Sequence, residues 1–410
     1  MSGRGRLLFA AWMGLLGAAP ALAQADPIPP PAPVVGIPAG PTYLQPALGL
    51  SVAEQTNPFY LPDPDGDVVM RTSLFFGVIV PFRNSYFRAA TDATFRRYAT
   101  LEVSDPNSND LSGELSLLFG SHDRAVLLAD YASGANEVLR FDGGETTYDG
   151  SPYQYGVYTA GVERDVPGHI GYEATCTWSR LSFDETDVNF FEFHGYDAGA
   201  NGLFPVTPHA SIVAGGFVRR YDHISTTDPT GAVFRQENTD VVTLGMQGSF
   251  ARGGQYRAVL GYDRSRYPGG VGSDYDGLIG DATVGYGIGP ATTVLVRASR
   301  RPWSSFFGDN NYYLAGTVGA SVQHVWRGGS EVGGSLDLGR SRYPDPESIA
   351  AGGTKRHDRL LGGEAHVVIA LQRWIALRIA YSIQARGSNL PGIEYTAQTL
   401  GAQLLLGWRP

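Results

Sequence analysis

Three histidine–aspartate neighbours, His122-Asp123, Asp222-His223 and His357-Asp358, are the pairs from which this chain could build a general base, and its many serines could supply a nucleophile. Their placement argues against that chemistry. Adjacent residues on a strand point to opposite faces, so a dipeptide does not become a working pair. Neither a Gly-x-Ser-x-Gly elbow nor a His-Glu-x-x-His pair occurs. These residues read as solvated loop positions, and the chain as no enzyme. One cysteine, Cys176, leaves no internal disulfide or thiolate metal cage, and no cofactor or metal is expected.

Other charges recur at every second residue. One column carries Arg88, Asp92 and Arg96; another Glu173, Thr175 and Thr177; others Arg257 with Asp263, then Arg297, then Glu364 with His366, then Arg378, Gln384 and Arg386. Lining a pore, such mixed charges set the transverse field and the hydrogen bonds that a polar solute meets. The plainer reading is a structural ladder of residues paired with one another, because polar inward residues are general to membrane barrels. The opposite, apolar columns end repeatedly in arginine: Arg97, Arg180, Arg220, Arg264 with Arg266, Arg300, and Arg340 with Arg342. An outward arginine is costly at mid-bilayer and cheap at the interface. There its guanidinium suits the phosphates of lipopolysaccharide. The alternative is that these arginines merely open solvated loops. Two of them sit in a shared string, Arg-Ser-Arg-Tyr-Pro, at Arg264–Pro268 and Arg340–Pro344, where proline is expected to stop strand pairing.

The elements that position these columns are strands. In the stretch 375–386, Ile375, Leu377, Ile379, Tyr381 and Ile383 share one face, and Arg378, Ser382, Gln384 and Arg386 the other. Val242, Leu244 and Met246 alternate in the same way with Thr243 and Gln247. Connections alternate short and long. Tight turns are expected at 81–84, 120–123, 165–168, 204–208, 251–254, 288–290, 327–329 and 372–373. Longer polar connections are expected at 54–66, 134–152, 222–237, 268–274, 301–309 and 344–355. Outer-membrane barrels sort their connections this way, with tight periplasmic turns and long extracellular loops. Eight tight turns join sixteen strands, and a first strand near Leu48–Ala53 with a last near Tyr395–Trp408 brings the count to about eighteen. Blurred alternation in 125–133 and 189–200 keeps sixteen as the alternative. The expectation is an all-β fold: a single transmembrane, antiparallel, up-and-down β-barrel spanning residues 45–410, both termini periplasmic.

Residues 1–23 read as a signal peptide, with Arg4 and Arg6 before the apolar run Leu7–Leu16 and Ala21-Leu22-Ala23 before the cut. Residues 24–44 read as a proline-rich periplasmic leader too short to form a plug. The destination is the bacterial outer membrane. A formal net charge of −9, with Lys355 as the only lysine, excludes a nucleic-acid partner. The partners expected are outer-membrane lipid, lipopolysaccharide and the barrel-assembly machinery.

The opening strand Ala47-Leu48-Gly49-Leu50-Ser51-Val52 before Asn57-Pro58-Phe59, the hairpin Asp67–Tyr98, and the segment from Arg300 through Asn310, Asn311 and Tyr312 to Arg342 resemble the putative β-barrel porin-2 family. The resemblance covers most of the mature chain and rests on diffuse patterning. It implies an outer-membrane channel accompanying polysaccharide secretion, with capsular or extracellular polysaccharide as the substrate and secretion components as partners; it carries over no catalytic or ligand residue. Two other readings stand beside it. A general diffusion porin would need an inward loop, for which Gly134–Pro152 with Glu145 and Asp149 is the candidate. A structural or binding barrel would not conduct. One departure concerns assembly: the last aromatic, Trp408, is followed by Arg409-Pro410 rather than ending the chain.

Overall fold

The computed structural model describes residues 36–407 apart from 59–65, 102–106, 136–138, 141–145, 148–151, 167, 184–191, 224–235, 251–252, 271, 306–309 and 347–352. The segment expected to be a signal peptide, most of the expected leader, the core of the 134–152 loop with Glu145 and Asp149, and Trp408 therefore lie outside the described residues.

Eighteen long strands follow one another. They are β1 (Thr42–Gln55), β2 (Asp67–Phe82), β3 (Ser85–Tyr98), β4 (Ser108–Phe119), β5 (Asp123–Ala135) and β6 (Pro152–Arg164). Next come β7 (Gly171–Phe183), β8 (Phe193–Thr207), β9 (Ala210–His223), β10 (Gln236–Phe250), β11 (Gly254–Arg266) and β12 (Tyr275–Ile288). The last are β13 (Thr292–Ser304), β14 (Tyr312–Val325), β15 (Glu331–Pro346), β16 (Lys355–Gln372), β17 (Ile375–Ser388) and β18 (Tyr395–Gly407). Each pairs antiparallel with its sequence neighbours, and β1 pairs with β18 from Ala47↔Gly407 to Gln55↔Thr399. The sheet thus closes on itself, which satisfies its backbone groups without water. Among the described residues no helix is long and apolar enough to cross a membrane.

Every second connection is tight: 83–84, 120–122, 165–170, 208–209, 251–253, 289–291, 326–330 and 373–374. The others are as long or longer and gather at the opposite end. In the turn 83–84, Arg83 takes a positive φ of 57°, the backbone a two-residue hairpin demands.

Several boundaries differ from the sequence-based expectation. The leader does not run to residue 44: β1 begins at Thr42, and a short strand, Ile37–Ala39, folds back to pair with Thr42–Leu44. It takes up the edge of β1 left open where β18 has ended. The turn expected at 204–208 is confined to 208–209, because a bulge between Pro205 and Thr207 absorbs the proline and lets β8 continue. Arg301 belongs to β13 rather than to a loop, since Trp303 packs against Tyr313 and Tyr343 and prolongs the strand. Pro344 does not end its strand; β15 resumes through Pro346 after a register shift. Residues 125–133 pair throughout within β5 and residues 193–200 within β8, while 189–191 lie outside the described residues; the count is eighteen.

Side chains of non-neighbouring strands can meet only on the concave side of a closed sheet, and these contacts identify it. Ser179 of β7 donates to Tyr221 of β9 at 3.3 Å, and Arg257 of β11 reaches Glu173 of β7 at 2.6 Å. The convex face is apolar and open: Leu244, Leu260 and Leu278 on adjacent strands are 62%, 71% and 64% exposed. An apolar wall of this extent is what lipid covers.

Candidate functional site

The inner face places the polar columns from one end of the barrel to the other. Near the tight turns, Glu173 accepts from Arg257 Nη2 at 2.6 Å and from Asn201 at 2.8 Å, while Arg257 also donates to Gln247 at 2.8 Å. Two residues 84 positions apart thus meet inside the barrel. At the same end of β16, the His366 ring faces Glu331 at 2.8 Å through Nε2 and Glu364 at 2.9 Å through Nδ1, and Glu364 also accepts from Arg378.

Halfway up, Arg297 of β13 reaches Asp337 of β15 at 2.8 Å across the intervening strand. Register puts Gly319 of β14 directly between them. A Cβ on Gly319 would lie 2.1 Å from the Asp337 carboxylate, so glycine is what lets this bridge form. Thr177 bonds Thr159 at 2.9 Å, and Thr175 lies two residues below it on the same column. On β3, Arg88 sits opposite Glu114, Asp92 opposite Asp110, and Arg96 opposite Arg71. Gln384 lies inward between Gly362 and Ala397.

Toward the long loops the wall becomes denser. Arg219, 5% exposed, bridges Asp197 at 2.8 Å and Glu237 at 3.2 Å, with its guanidinium over the Tyr221 ring. Thr239 bonds Ser265 at 2.7 Å, and Ser265 donates to the buried Asp263 at 2.7 Å. Tyr267 closes this group from the loop side; burial, ahead of repulsion from Glu237 and Asp263, pushes its phenol well above its ordinary value, so it stays a donor. Around the wall, Arg356 holds Asp358 at 2.8 Å and stacks on Tyr343, while Arg386 lies 3.8 Å from Asp358 and over Tyr395. Among the described residues, no group of histidine, cysteine and carboxylate side chains forms a metal site.

The residues singled out from sequence as inward all fall on inward columns. The arrangement brings together Glu173 with Arg257, and Glu364 with His366 and Arg378; Thr177, Asp263, Arg297 and Arg386 meet Thr159, Ser265, Asp337 and Asp358, which lie outside the expected inward set. Sequence reasoning missed the Arg219, Asp197 and Glu237 group, although alternation with the outward Arg220 carried the signal. His357 and Asp358 do not act as a unit, since His357 is exposed on the outer face and Asp358 buried on the inner, and Asp222 lies 3.9 Å from His194.

The eight outer arginines all lie near the long-loop ends of strands that run toward that end. They are not alike. Arg220 binds Asp240 at 2.6 Å, and Arg266 binds Asp276 at 2.6 Å with Asp274 at 3.6 Å. Arg300 donates to the Leu278 carbonyl. Among the described residues Arg97, Arg180, Arg264, Arg340 and Arg342 enter no ion pair.

Among solved structures the chain resembles Pseudomonas aeruginosa OpdK with vanillate, at 12% identity over 89% of this chain and 99% of that one, with a TM-score of 0.49. It also resembles Acinetobacter baumannii OccAB2, at 10% identity over 90% and 98% and a TM-score of 0.48. A bacterial polysaccharide outer membrane secretin matches at 10% identity over 89% and 99%, with a TM-score of 0.39. No curated protein matches the sequence. The family described as "Putative beta-barrel porin 2" matches residues 30–406, nearly the whole barrel, and this chain belongs to it: a porin-like β-barrel of the outer membrane.

Proposed function

We propose that the protein is a passive channel through which polar solutes, saccharide chains among them, cross the outer membrane, with the tight turns on the periplasmic side. One observation carries this reading: the inner wall is polar and of mixed charge along its full height, from Glu173–Arg257 near the tight turns to Arg219, Asp197 and Glu237 near the long loops. Opposed charges fixed on facing strands replace part of a solute's hydration without trapping an ion of either sign. Half-buried inward rings at the long-loop end, Tyr153, Tyr155, Trp303 and Tyr395, offer flat apolar faces beside those charges, the combination that suits a sugar ring.

Conductance of the purified barrel in a planar bilayer tests this. Steady conductance that falls when an acidic or neutral polysaccharide is added is expected. Conductance indifferent to polymer removes the saccharide substrate and leaves a general diffusion porin. No conductance overturns the channel itself.

A further inference from the structure

Strand register sorts the outer arginines into two arcs with different electrostatics. In the arc β9–β12 each cation has an acidic neighbour: Arg220 and Arg264 flank Asp240, and Arg264 and Arg266 flank Asp276. In the arc β13–β16 the register reads Arg300↔Gly316↔Arg340↔Arg359, and one rung higher Arg342↔His357. Arg340, Arg342, Lys355 and Arg359 are exposed on this outer wall, and among the described residues no carboxylate forms an ion pair with any of them or with Arg300. Gly316 leaves a bare strip between Arg300 and Arg340, where a Cβ would meet nothing closer than 4.0 Å. Directly below this row toward the tight turns lie Val296, Val318, Leu336 and Leu338, all exposed.

Like charges facing one another across a strand pair repel, as Arg340 and Arg359 do here with Arg300 one strand further on, so counter-charge placed among them stabilises the row. A flat apolar wall beneath means that the counter-charge arrives on an amphiphile. We propose that the β13–β16 arc is a lipid site. The row Arg300, Arg340 and Arg359, with Arg342 and Lys355 above it, binds the phosphates of a phosphorylated glycolipid while the acyl chains lie on the wall below. Gly316 is the slot that admits a phosphate between two guanidinium groups. The arc β9–β12, neutralised by its own aspartates, does not bind one. The site stands whether or not the lumen conducts.

The test is titration of the purified barrel in neutral detergent with bis-phosphorylated lipid A, with the same lipid dephosphorylated, and with inorganic phosphate as competitor. Correct folding of each variant is checked by heat-modifiable gel mobility. The wild type is expected to bind the phosphorylated lipid at least about tenfold more tightly than the dephosphorylated one, since several charge-assisted contacts are involved. R300Q/R340Q/R342Q/R359Q should lose that preference, and R220Q/R264Q/R266Q should keep it. Gly316→Asp, which supplies an internal carboxylate to the slot, should behave as the quadruple variant does and stands in for it should that variant not fold. Unchanged preference in Gly316→Asp or in the quadruple variant overturns the site. Equal loss in both arcs reduces it to general charge, and displacement of the lipid by millimolar inorganic phosphate reduces it to a free-anion site.

Discussion

The string Arg-Ser-Arg-Tyr-Pro occurs twice, at the ends of β11 and β15, and its two copies share one face and differ on the other. Inside, both behave alike: Ser265 and Ser341 are each 1% exposed, and Tyr267 and Tyr343 pack into aromatic clusters at the long-loop end. Outside, Arg266 is tied to Asp276, whereas Arg342 faces His357 and has no carboxylate partner among the described residues. The same five residues therefore have one structural role set by the barrel interior and two electrostatic situations set by neighbouring strands. A strand's inward chemistry follows from its own alternation; its outward chemistry depends on what register places beside it.

The largest effect should come from the inner cations behind each copy. Arg219→Met leaves Asp197 and Glu237 buried without their shared cation and should cost about 3–5 kcal/mol, the penalty for breaking a buried pair. Arg356→Met should cost less, because Asp358 keeps Ser388 at 2.7 Å and Arg386 at 3.8 Å. Urea unfolding in vesicles measures both, and equal losses would remove the distinction between the two regions.

Next come the buried serines. Ser265→Ala deprives the Asp263 carboxylate of a donor and should destabilise by about 1–3 kcal/mol. It also breaks the link to Thr239, and the same unfolding experiment reads it. Restoration by Ser265→Thr would show that the hydroxyl matters rather than the volume.

The outer comparison can be inverted by removing the acids. Asp240→Asn with Asp274→Asn and Asp276→Asn should remove the carboxylates beside Arg220, Arg264 and Arg266 and create a second site with preference for phosphorylated over dephosphorylated lipid A. Unchanged stoichiometry in the lipid titration would show that pairing is not what separates the arcs. The smallest effect is expected from Arg266→Gln: the pair with Asp276 is solvent-facing, so its loss should shift stability by about 0–1 kcal/mol and less at high salt. A shift of several kcal/mol in the unfolding midpoint would mean that the pair carries structural weight.

Much of the fold is legible in the chain because barrel strands obey a period of two and their connections alternate in length. Ile375, Leu377 and Ile379 opposite Arg378 suffice to orient β17. Legibility fails where glycine, alanine or proline blur the pattern: β8 carries Gly195, Gly199 and Gly202 and absorbs Pro205 through a bulge that no alternation announces. It fails again for Ile37–Ala39, whose pairing depends on how far β18 runs beside β1. The site was legible as columns and not as pairs. Arg219 could have been read from Arg220 by parity alone, but its bridge to both Asp197 and Glu237 could not.

The sequence by itself determined that the chain forms alternating strands, which face of each is polar, and that arginines end the apolar columns, because these are properties of consecutive residues. Only the tertiary structure decided that Glu173 meets Arg257, that Arg297 reaches Asp337 over Gly319, and that, among the described residues, one arc of outer arginines is neutralised while the next is not. Those outcomes depend on register and curvature around a closed sheet, which is set by all eighteen strands together and is written in no single segment.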